Sequence, residues 1–146
     1  MDFLTALQVS SSALDAQRVK MNTIASNLAN AETTRTPEGG PYKKKTAVLT
    51  ATEINNPGGF KNFKDALEQS IKGVKVSEIT EDNESYKMKY EPGSPDADEK
   101  GYVKLPNINL MEEMVNMMSS SRAYEANVTA INATKSMAQK ALDIGK

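Results

Sequence analysis

The stretch DFLTALQVSSSALDAQRVKMNTIASNLANA, residues 2–31, decides the fold. Leu7, Leu14, Met21 and Leu28 recur at every seventh position, and Phe3, Ser10, Gln17, Ile24 and Ala31 fill the companion seam. Two interleaved series of this kind mark a helix that packs along a stripe against other helices. No Pro or Gly interrupts the pattern until the run Thr33-Thr34-Arg35-Thr36-Pro37-Glu38-Gly39-Gly40-Pro41, which reads as a stop. The spacing predicts one helix over about residues 2–31, with Ser10 and Gln17 as polar interruptions that set register at some cost in stability.

The other end of the chain mirrors this one. Asn109 can cap a helix, with Glu112 in the reciprocal position three residues on. Leu110, Met117, Tyr124, Ile131 and Ala138 form one seventh-residue series; Met114, Ser121, Val128, Lys135 and Leu142 form the other. The helix is expected to run to Ile144. Each helix should be roughly 45–50 Å long at about 1.5 Å per residue.

Between them the pattern changes. Residues 42–51, 74–79, 86–90 and 101–105 are β-branched or alternate apolar with polar, and Gly/Pro/Asn-rich turns bound them. Residues 63–72 read as a short helix. The expected fold is mainly α with a small β-rich insert, its long N- and C-terminal helices paired as an antiparallel coiled coil. Three parts are expected: 1–36, 37–106 and 107–146.

Charge supports the division. The chain has 146 residues and a net charge of −1, yet residues 37–106 hold 23 of its 37 charged side chains. An amphipathic helix normally has a charged solvent face; these ends, rich in Ala, Ser, Asn, Thr and Met, lack one. That predicts protein neighbours on more than one side. Ala and Asn suit such contacts: Ala allows close approach, and Asn27, Asn30 and Asn127 can hydrogen-bond between helices without desolvating a full charge.

Composition removes whole classes of chemistry. Without Cys there are no disulfides, thiolate metal sites or Cys nucleophiles; without His there is no imidazole base or ligand. A pI near 5.6 argues against nucleic acid. Apolar runs fall far short of a membrane span. Met1-Asp2-Phe3-Leu4 puts an acid where a signal peptide needs a base, which predicts no cleaved signal.

The remaining candidate sites have bland readings. Asp96, Asp98 and Gly101 begin like a calcium loop, but Lys100 and Asn107 occupy ligand positions, so a polar turn is expected. Lys43-Lys44-Lys45 reads as a solvated strand edge. Glu112-Glu113 complements the helix dipole, with no nucleophile or phosphate cradle beside it, so no enzyme and no cofactor is expected. Met111, Met114, Met117 and Met118 spread over about a third of the helix circumference. Packing against more than one partner is expected there, since flexible thioethers suit several unlike neighbours.

The motifs also carry a resemblance. Ile24-Ala25-Ser26-Asn27-Leu28-Ala29-Asn30-Ala31 is similar to the N-terminal signature of bacterial flagellar axial proteins, the rod, hook and hook-associated components. Residues 90–98 (YEPGSPDAD), Gly101-Tyr102-Val103, Pro106-Asn107-Ile108-Asn109, residues 113–118 (EMVNMM) and residues 121–127 (SRAYEAN) resemble the proximal rod members. The resemblance implies a structural subunit that joins copies of itself and other rod proteins in a hollow, torque-transmitting helical shaft. It implies export by the flagellar type III apparatus and a place in the basal body, periplasmic in a Gram-negative cell. The expected assembly interface is Leu7, Leu14, Met21, Ile24, Asn27, Leu28 and Asn30 on the first helix. On the second it is Leu110, Met114, Met117, Met118, Tyr124, Asn127, Val128, Ile131 and Leu142. Periodicity alone stops at a helical self-assembly or partner module, and the rival is an autonomous helical adaptor or chaperone-like partner protein.

Overall fold

A computed structural model describes residues 3–54, 71–83 and 86–144. Helix α1 spans Phe3–Ala29. Strands β1 (Lys45–Glu53), β2 (Lys72–Glu81), β3 (Tyr86–Tyr90) and β4 (Tyr102–Pro106) follow, and helix α2 spans Leu110–Ile144. The two helices pack against each other, the C-terminal end of α1 lying at the N-terminal end of α2. At 27 and 35 residues they are about 40 and 52 Å long. Mainly helical with a β insert is what the sequence predicts. The short helix expected over 63–72 lies outside the described residues except at its end, where Lys72 opens β2.

The strands form two separate antiparallel ribbons, β1–β2 and β3–β4. The first, irregular at Val48/Leu49, lies on α1. Gly73 makes this approach possible: a Cβ there would meet Ser12 Oγ at 2.9 Å. Ser12 Oγ accepts the N–H of Val74 at 3.1 Å and donates to Val9 O at 2.8 Å, so ribbon and helix are bonded where they touch. The N-terminal helix is therefore covered on two sides. Its exposed stripe is narrow: Leu4, Gln8, Ser11, Asp15, Arg18, Asn22, Ala25 and Ala29.

The connection from α1 to β1 needs two left-handed residues, Gly39 (φ 90°) and Gly40 (φ 79°). Thr36 N–H bonds to Gly40 O at 2.9 Å, and Tyr42 N–H closes the loop on Thr33 O at 3.0 Å. This is why the strand begins at Lys45 and not at the expected residue 42.

The helix seams differ in one respect from the periodic reading. On α2 a covered series runs Glu113, Met117, Ser120, Tyr124, Asn127, Ile131, Thr134 and Ala138, alternating by four and three, flanked by half-covered Asn116, Ser121, Ala123 and Val128. The series containing Met117, Tyr124 and Ile131 is as expected. Its companion is one residue earlier than Met114, Ser121, Val128, Lys135 and Leu142, and it is polar throughout. Polar side chains fit there because several bond to their own helix: Asn127 Nδ2 donates to Ala123 O at 2.9 Å, and Thr134 Oγ1 to Ala130 O at 2.7 Å. Among the described residues only Ala16, Ile24, Val103 and Ile108 form a buried apolar core.

Candidate assembly interface

Where the helices meet, one polar cluster ties three segments together. Asn27, 1% exposed, faces both β1 and α2. Its Nδ2 donates to Lys45 O at 2.8 Å and to Glu113 Oε2 at 3.2 Å. Its Oδ1 accepts from Lys45 N–H at 2.9 Å and from the Tyr42 hydroxyl at 3.3 Å. With both donors and both lone pairs used, the side chain acts as one residue of a neighbouring strand toward Lys45. Because the Tyr42 proton goes to Asn27, the Ser26 hydroxyl donates to Tyr42 at 3.1 Å.

Glu113 completes the cluster. It is 2% exposed, and Lys44 Nζ lies 3.0 Å from its Oε1. A buried carboxylate needs both a counter-charge and hydrogen-bond donors, and Lys44 and Asn27 supply them. Two expectations are corrected here. Lys44 is not part of a solvated edge; of the three lysines Lys43 is exposed, while Lys44 and Lys45 are half-covered. Glu113 is more than a dipole complement, since it is locked between α1 and β1. Asn109 caps α2 through Met111 N–H at 3.2 Å, while Glu112 faces Lys44 at 4.0 Å instead of turning back to the cap. Lys45 Nζ binds Glu81 at 3.2 Å, and that hydrogen bond and charge raise its pKa above 10.5.

The residues expected at the interface fall into three groups. Leu7, Leu14, Met21, Leu28 and Asn30 on α1 are half-covered, and Ile24 and Asn27 are buried. Met117, Tyr124, Asn127, Val128 and Ile131 on α2 are half-covered. Leu110, Met114, Met118 and Leu142 are exposed, beside Met111 and Val115. Of the four clustered methionines only Met117 lies in the packed seam. The chain thus covers one face of α2 and leaves an apolar stripe, Met111, Met114, Val115 and Met118, at its start. Asn30 serves its own helix end, donating to Ser26 O at 2.9 Å and accepting from Thr33 at 3.2 Å. Glu113, Lys44 and Tyr42 were missed as a group. Nothing in a single sequence shows that a loop lysine and a first-turn acid 69 positions apart meet, although Glu113 does fall in register with Met117 and Tyr124.

The turn before β4 has a local role. Asp98 Oδ1 accepts from the backbone N–H of Lys100 and of Tyr102, both at 2.9 Å. The Tyr102 bond lowers the Asp98 pKa below 3.8 against the opposing effect of desolvation, with the Lys100 bond helping. Asp96 accepts from the Thr34 hydroxyl at 2.7 Å, tying this turn to the loop after α1. Among the described residues no group of three or more acidic side chains could hold a metal, and no helix is long and apolar enough to cross a membrane.

Two long helices thus share a polar knot and leave apolar faces open, and the relatives show what class of protein is built this way. Residues 7–35 match the family model described as flagella basal body rod protein. Residues 99–144 match that of the flagellar basal body rod FlgEFG protein C-terminal. The class is therefore the flagellar basal-body rod proteins. Proteins named flagellar basal-body rod protein FlgC are similar over nearly the whole chain. The one from Borreliella burgdorferi is 47% identical over 99% of this chain and 98% of its own length. That from Bacillus subtilis is 46% identical over 97% of each, and that from Escherichia coli O6:H1 is 42% identical over the full length of both. The chain belongs to the FlgC family.

Proposed function

We propose that this chain is a non-enzymatic structural subunit of the flagellar basal-body rod, assembling helically with copies of itself and with other rod proteins into a hollow shaft that transmits torque. In this reading α1 and α2 pair as an antiparallel coiled coil. Parts 1–36 and 107–146 line the tube, and 37–106 forms the outer insert. The subunit travels through the flagellar type III apparatus without a cleaved signal and, in a Gram-negative cell, works in the periplasm.

One observation carries the assembly: among the described residues the buried apolar core has four small or medium side chains, while Met111, Met114, Val115 and Met118 stand exposed on a single stripe. Ordering a chain costs about 1–2 kcal/mol per residue, and helices gain most of their stability from tertiary packing. The isolated pair is further weakened by Gln17 Oε1 and Ser120 Oγ, both buried without a hydrogen-bonding partner. Neighbouring subunits supply the missing burial. The terminal helices therefore order on assembly, which also suits passage through a narrow export channel.

Far-UV circular dichroism of the purified chain tests this. The expected result is helicity well below the 62 helical residues of α1 and α2 at low concentration, rising on assembly. Full helicity in dilute solution sinks the coupling and favours an autonomous adaptor. Met118→Asp, on the exposed stripe, is expected to abolish motility in a null strain while leaving the ribbons intact; normal swarming removes the stripe from the interface.

A further inference from the structure

Besides the methionine stripe, the β3–β4 hairpin leaves an apolar face open. Opposed residues of an antiparallel pair point to the same side. The pairs Tyr86↔Pro106, Met88↔Lys104 and Tyr90↔Tyr102 therefore share one face. Tyr90 and Tyr102 meet edge-on with centroids 5.3 Å apart, and Lys104 Nζ sits 5.0 Å from the centre of the Tyr86 ring. The rings are thus held in place, yet Tyr86, Met88, Tyr90 and Tyr102 are 40–64% exposed. The opposite face is used: Val103 is buried, and Lys87 Nζ bonds to Ile108 O at 3.3 Å.

The two open faces are complementary. The one charge on the open face of the hairpin is Lys104, since Lys87 and Lys89 lie on the other face, whereas residues 110–121 carry Glu112 and Glu113 and no base. Lys44 holds Glu113, leaving Glu112 as the exposed charge beside the stripe. Resting on the rod reading, we propose that the aromatic face of the hairpin docks on the methionine stripe of a second copy. Thioethers pack well against ring edges and faces, and Lys104 then approaches Glu112. Like-to-like docking is disfavoured: hairpin on hairpin brings two Lys104 together, and stripe on stripe brings two Glu112 together. A single contact leaves one hairpin and one stripe unused, and in the rod reading these bind further copies head to tail.

The absence of native cysteine makes the test clean. Tyr90→Cys and Met118→Cys chains, differently tagged, are expressed together with the wild-type chain, and isolated basal bodies are oxidised. The expected product is a mixed disulfide dimer, absent when either variant is expressed alone. Met88→Cys with Met111→Cys, both at well-exposed positions, gives a second pair should the first be poorly incorporated. Rod fractions that contain both variants without the mixed product overturn the docking and leave the rod reading standing. Same-variant dimers also overturn it. Basal bodies devoid even of the wild-type chain overturn the rod reading, and the docking with it.

Discussion

Replacing Asn27 by Ala should cripple incorporation into the rod without touching any surface a neighbour sees. The amide is 1% exposed and makes four hydrogen bonds within its own chain. Truncation strands the N–H and C=O of Lys45 and one oxygen of Glu113. Lys45 is half-covered, so water recovers part of its loss; Glu113, 2% exposed, has only Lys44 left. At about 1 kcal/mol for each backbone group and about 1–1.5 kcal/mol for the carboxylate, the ordered arrangement loses roughly 3 kcal/mol. If ordering and assembly are coupled, that loss appears as a drop in incorporation of roughly 100-fold.

The assay is a competition. Variant and wild-type chains with different tags are expressed in equal amounts, and their ratio is read in isolated basal bodies. A ratio near unity refutes the coupling of this knot to assembly. Asn27→Asp separates bond direction from volume. It keeps the shape but replaces the donor that faces Lys45 O and Glu113 with a charged acceptor, so it should compete worse than Ala. The reverse order means that packing, and not hydrogen bonding, sets the effect.

Lys44→Ala should weaken assembly strongly by leaving Glu113 buried without a counter-charge, and Lys44→Ala with Glu113→Gln should recover part of the loss in the same competition. Gly73→Ala places a methyl group 2.9 Å from Ser12 Oγ; it should cost about 1–3 kcal/mol of ribbon–helix stability, and adding Ser12→Ala should cost less than the two single losses together in denaturant titration. Asp98 makes the β3–β4 connection acid-sensitive. Because its folded pKa lies below 3.8, its contribution is complete above that value and disappears as pH falls through the lower folded one. The Tyr102 amide proton resonance should shift in that window, and Asp98→Asn should abolish the titration.

Periodicity located both helices to within about two residues, since a heptad pattern records its own spacing. It also located all four strands, because each alternates between turn-forming residues. It did not locate the companion seam of α2. Met114, Val128 and Leu142 form an apolar series, and the natural inference is that apolar positions face the partner helix. The chain instead packs Glu113, Ser120, Asn127 and Thr134 inward and leaves Met114 and Leu142 exposed, with Val128 half-covered. The reason is physical: hydrogen bonds and one buried ion pair satisfy Glu113, Asn127 and Thr134, and of the four only Ser120 Oγ goes without a partner, while the contact inside the chain uses Met117 and leaves Met111, Met114 and Met118 outside it. Asn27 was legible as an interhelical residue. Its use of Lys45 as a strand-like partner was not, because that contact depends on the two-glycine turn that brings β1 back to α1.

This inversion bears on how a rod subunit stays manageable before it assembles. A chain that packed its methionines inward and showed its polar seam outward would form a stable, self-satisfied pair with no incentive to associate. Here the intramolecular contact is specific but weak, because hydrogen bonds and ion pairs contribute little net stability per group even as they penalise wrong registers. In the proposed assembly the apolar stripe is kept for neighbours, where burial supplies most of the free energy. Register and affinity are thus assigned to different faces of the same helix. It follows that Asn27 and Met118 variants should fail differently. Loss of the Asn27 knot lets subunits meet but misaligns them, so excess wild-type chain outcompetes the variant. Loss of the stripe by Met118→Asp removes the attraction itself, and raising the concentration of the variant should restore little.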